Sequence, residues 1–61
     1  MNRVVEILMK RDDLSQAEAE ELLREVRYML EECNYDSEES EDIISSELGL
    51  ELDYIMDILF D

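Results

Sequence analysis

The chain has 61 residues, a formal net charge of −14 and a hydrophobic fraction of 46%. That length allows one domain, residues 1–61, whose small core must hold with only about 60% of the unfolded surface buried. The charge argues against nucleic acid and acidic membranes as direct partners and in favour of basic protein surfaces.

The first predicted element covers residues 2–11. Asn2 suits an N-cap, and Val4, Val5, Leu8 and Met9 form a helical stripe, with Lys10 and Arg11 in the last turn where the helix dipole favours cations. Asp12 and Asp13 mark the break. The second element is the spine, predicted over residues 16–33. Ser15 and Glu18 are spaced as a capping box, and Ala19, Leu22, Leu23, Val26, Leu30 and Cys33 follow at intervals of three and four as one buried face. Glu20 with Arg24 and Arg27 with Glu31 stand at i, i+4, the spacing of surface ion pairs. Asn34 and Tyr35 read as its exit.

A third helix is predicted to open on Asp36 or Ser37, with Glu38 and Glu39 in its first turn and Ile43, Ile44 and Leu48 on its apolar side. Gly49, the one glycine of the chain, stands where a left-handed C-cap would end it. A fourth helix is predicted over residues 52–60, with Leu52, Ile55, Met56 and Leu59 on one face and Tyr54 and Ile58 beside it. No strand pattern is present, so the expected fold is all-α, a compact bundle of about four short helices.

The charge is divided unevenly along the chain. The first 27 residues hold seven acids and all five basic residues, a net of −2; the remaining 34 carry twelve carboxylates and no cation, a net of −12. The run Asp36–Asp42 lacks the mid-loop glycine and alternating ligands of an EF-hand and reads as a solvated helix start. With no histidine and a single cysteine, the chain lacks the usual ligands of a structural zinc site and the usual base of a serine or cysteine triad. There is no glycine-rich phosphate loop either. The expectation is a protein that is not an enzyme, with no cofactor and no metal. Cys33 reads as a buried apolar residue, and Met9, Met29 and Met56 as core fillers. Isolated cysteine usage and the lack of a long apolar run or signal-peptide pattern point to the cytoplasm.

Residues 42–59 resemble a helix-turn-helix motif: Ile44, Ser45, Leu48, Gly49, Leu50, Ile55 and Ile58 occupy its apolar, small and glycine positions in order. The resemblance implies an angled C-terminal helix pair. Its second helix, however, carries Glu51, Asp53, Asp57 and Asp61 where a DNA reader needs lysine and arginine. The stretches Ile7–Asp12, Ala19–Leu23 and Leu48–Ile55 give the chain a further likeness: it resembles the short acidic proteins of phages and other mobile elements. Some of those mimic DNA and block basic nucleic-acid-binding proteins, so the resemblance implies such an inhibitor. Two other readings stand beside it: a homodimeric structural or assembly protein whose acidity gives solubility, and an acidic antitoxin-like partner. The candidate partner-binding residues are Glu47, Glu51, Asp53, Tyr54 and Asp57. Asp53 and Asp57 share a helical face, Tyr54 borders them, and Glu47 and Glu51 flank Gly49.

Overall fold

A computed structural model describes residues 2–60, so Asp61, expected in the acidic fourth helix, lies outside the described residues. The fold is all-α. Helix α1 spans Arg3–Arg11, α2 Gln16–Glu32 and α3 Ser37–Ile43. Helix α3 widens into a π turn over Ile44–Leu48; after Gly49 a 3₁₀ turn, Leu52–Tyr54, leads into α4, Ile55–Leu59. Helices α1 and α3 both pack on α2, and α4 closes the bundle against α1 and α2.

The helix starts follow local chemistry. Asn2 caps α1, its Oδ1 accepting from the amides of Val4 (2.7 Å) and Val5 (3.4 Å). At α2 both halves of the capping box form: the Glu18 amide donates to Ser15 Oγ (3.1 Å), and the Ser15 amide donates to Glu18 Oε1 (2.9 Å). That backbone bond, with the Ser15 hydroxyl second, holds the Glu18 carboxyl below its usual range. Asp36 caps α3 by accepting from the Glu39 amide at 3.1 Å. The exit from α2 runs through two residues in the left-handed region, Asn34 (φ 56°) and Tyr35 (φ 58°), with the Tyr35 amide returning to the Leu30 carbonyl at 2.9 Å. Asparagine tolerates that conformation well; tyrosine adopts it at a cost of about 1 kcal/mol.

The core consists of Val4, Val5, Leu8, Ala19, Leu23, Val26, Leu30, Ile44, Leu48 and Ile58. The stripes of α1 and α2 are those the periodicity predicts, except that Met9, Leu22 and Cys33 are half-buried rather than inside. Cys33 is the C-cap of α2, so its side chain hangs at the edge of the face, its thiol 3.3 Å from the Leu30 carbonyl. Two further expectations are corrected. Residues 36–42 are a solvated helix start except at Ser40, which is fully buried because it lies one turn before Ile44 and two before Leu48. In the fourth element Ile58 is the buried residue, whereas Leu52, Ile55 and Leu59 are half-buried and Met56 is exposed. The 3₁₀ turn at Leu52–Tyr54 advances the chain by a different angle per residue, so a face projected from Leu52 at the α-helical angle misplaces the side chains of α4.

Gly49 ends the third element with φ +64°. Its amide donates to the carbonyls of Ile44 and Ser45, and the Leu50 amide reaches back to Ile44 at 3.3 Å. This closure is wider than an ordinary Schellman end, which is why the last turn is π rather than α.

Three arginines of the first half reach the second. The Arg11 guanidinium donates to the Leu48 carbonyl (2.5 Å) and the Gly49 carbonyl (3.3 Å) while also binding Asp12. It sits where the negative end of the third helical element favours a cation. Its bond to Asp12 holds that carboxyl below the usual range. Arg27 Nε donates to the Ile58 carbonyl at 2.5 Å instead of pairing with Glu31. Arg3 pairs with Asp57 at 2.7 Å. Arg24, the remaining arginine, bonds Glu21 at i, i+3 rather than Glu20.

Urea denaturation of two pairs of variants tests these contacts. Ser15→Ala should cost about 0.5–2 kcal/mol through loss of the cap, whereas Ser40→Ala should be neutral or stabilising, because the buried Ser40 hydroxyl has no hydrogen-bond partner among the described residues to lose. Arg27→Met should cost about 1–2 kcal/mol by releasing the Ile58 carbonyl, while Arg24→Met, which touches only an exposed ion pair, should stay within about 0.5 kcal/mol. Equal costs for the two arginines would remove Arg27 as the fastening of α4.

Candidate functional site

The five candidate residues do not form one patch. The bend at Gly49 turns the chain back along α3, and the resulting open groove is lined on one side by Ser37, Glu38, Glu39, Glu41, Asp42 and Ser45 and on the other by Leu50, Glu51, Leu52 and Asp53. Glu51 and Asp53 therefore face the acidic start of α3. Glu47, on the exposed side of the π turn, lies outside that lining.

Tyr54 and Asp57 belong to a different environment. Arg3 stands 4.9 Å from the centre of the Tyr54 ring and pairs with Asp57, and Asn2 Nδ2 donates to the Asp57 carbonyl at 2.6 Å. The start of α1 thus engages both residues, leaving the Asp57 side chain 34% exposed. The i, i+4 stacking of Asp53 and Asp57 does not survive the 3₁₀ turn as one charged face: Asp53 faces the groove and Asp57 faces Arg3.

The α3 carboxylates Glu38, Glu39, Glu41 and Asp42 complete the surface. Their density is visible in the sequence, but nothing local places them opposite Glu51 and Asp53. Six carboxylates line the groove, and no lysine or arginine is among its described lining residues. Such a concavity concentrates negative potential. Among the described residues, no set of three or more cysteine or carboxylate side chains converges closely enough to hold a metal ion. Nor is any described helix long and apolar enough to cross a membrane.

No protein family, curated protein or solved structure matches the chain.

The electrostatics give a direct prediction. The exposed ion pairs of Arg3, Arg11 and Arg24 contribute little and are screened by salt, so repulsion within the net charge of −14 dominates the salt response. The molecule measures 29 × 16 × 16 Å. At about 10 mM salt the screening length, about 30 Å, spans all of it, and at about 150 mM it falls to about 8 Å. Sodium chloride raised across that range should increase the melting temperature; a flat or falling curve would show that the arginine contacts outweigh the repulsion.

Proposed function

We propose that the protein is a small acidic interaction module of the cytoplasm whose partner is a basic protein surface, in its most specific form a DNA mimic that occupies the site of a nucleic-acid-binding protein. The observation that carries this reading is the groove between α3 and the Leu50–Asp53 segment, whose described lining includes six carboxylates and no cation. Three of the five cations are used elsewhere: Arg3, Arg11 and Arg27 fasten the second half of the chain to the first. A chain selected only for solubility has no need to gather carboxylates in a concavity, where their mutual repulsion is greatest. The resemblance to phage and mobile-element proteins supports the same reading, since several of those act by presenting phosphate-like charge. The same electrostatics argue against duplex DNA as a direct partner.

The test is affinity capture from a bacterial lysate at low and high salt, with duplex DNA added as competitor. The expected result is a basic nucleic-acid-binding protein that is retained at low salt, released at high salt and displaced by DNA. Glu51→Gln with Asp53→Asn should weaken that retention without unfolding the chain, because both residues are exposed. Asp57 is unsuited to this variant, since its change would also break the contact with Arg3. Capture that ignores both salt and DNA would sink the mimic reading. In a mobility-shift assay at low salt the purified protein should leave random duplex unshifted.

A further inference from the structure

Helix α4 turns one edge inward through Ile58 and leaves two large apolar side chains outside: Met56 is 61% exposed and Phe60, directly after α4, is 66% exposed. Met56 is within α4 and Phe60 follows it four residues on as the C-cap, its amide donating to the Met56 carbonyl at 2.8 Å. Half-buried Ile55 and Leu59 widen the strip. Asp53, which lines the acidic groove, stands three residues before Met56 in the chain, in the 3₁₀ turn that leads into α4. Simple core periodicity places Met56 inside; the structure puts it outside.

We propose that Met56 and Phe60 form the apolar anchor for a basic amphipathic segment of the partner protein, whose lysines or arginines lie along the Glu51–Asp53 side of the groove. This inference rests on the function proposed above and names its contact surface. Charge selects the occupant. A second copy of this chain would bring another −14 against the same carboxylates, whereas a basic segment meets them favourably and exposes apolar side chains of its own. The division of labour is the usual one at interfaces: the charges steer encounter and lose strength with salt, and a buried aromatic contributes what salt leaves untouched. Phe60 also offers a ring face to a cation.

The probes are two synthetic peptides with the same number of lysines, one a lysine–leucine amphipathic helix former and one with glutamine in place of leucine, titrated calorimetrically against the full chain at about 0.15 M salt. The lysine–leucine peptide should bind about tenfold or more tightly than the other. Met56→Ser with Phe60→Ser should abolish that preference and leave binding of the lysine–glutamine peptide unchanged. Tyr28→Ser, which removes an equally exposed aromatic from α2 (65% exposed), should change neither. A preference that persists in the double variant, or that is absent from the parent chain, overturns the anchor while the acidic-module reading stands. Failure of both peptides to bind overturns that reading and the anchor with it. Sedimentation showing a parent dimer that the double variant converts to monomer would assign the strip to a second copy and likewise overturn the proposal.

Discussion

The contacts of Arg3, Arg11 and Arg27 with the second half of the chain are the constraint on which the rest of the structure depends. Twelve carboxylates after Arg27 repel one another and have no cation of their own. A helix of five residues such as α4 has no stability in isolation. Its position is fixed by Ile58 in the core, by Arg27 on the Ile58 carbonyl, and by Asn2 and Arg3 on Asp57. Arg11 performs the corresponding task for the third element, satisfying the carbonyls that the π turn leaves at Leu48 and Gly49. The arginines of the first half thus join the core residues Ile44, Leu48 and Ile58 in tying the two halves together.

The same contacts decide what the surface can offer. Guanidinium groups committed to backbone carbonyls and to Asp57 do not neutralise the α3 carboxylates, and the groove keeps its charge. Tyr54, the aromatic most attractive as a recognition residue, is instead engaged with Arg3. In the fourth element the exposed large apolar side chains are instead Met56 and Phe60.

Much of this molecule is legible in one dimension because its helix signals are local. The Asn2 cap, the Ser15–Glu18 box, the Asp36 cap and the Gly49 turn each depend on residues within three or four positions of one another, and all four stand where their spacing puts them. The stripes of α1 and α2 are equally local, since one helical period governs the whole element. Ser40 is readable in the same way, one turn before Ile44, and is concealed only by the charges around it.

The sequence by itself thus determined the all-α class, the helix starts, the faces of α1 and α2, and a net charge that limits the kind of partner. Tertiary structure alone decided which carboxylates share a surface and which arginines are used inside. Glu38 and Asp53 face the same groove because the chain reverses at Gly49, and Arg27 meets Ile58 because α4 folds back on α2; neither contact is encoded by the spacing of its members. The fourth helix lies between the two cases. Its existence follows from its apolar content, but its orientation was set by a 3₁₀ turn and by anchors at Asn2, Arg3 and Arg27, and that rotation carried Met56 outward and buried Ile58. A short helix is oriented by the surface it docks against, and periodicity fixes a face only where one regular helix runs long enough to define it.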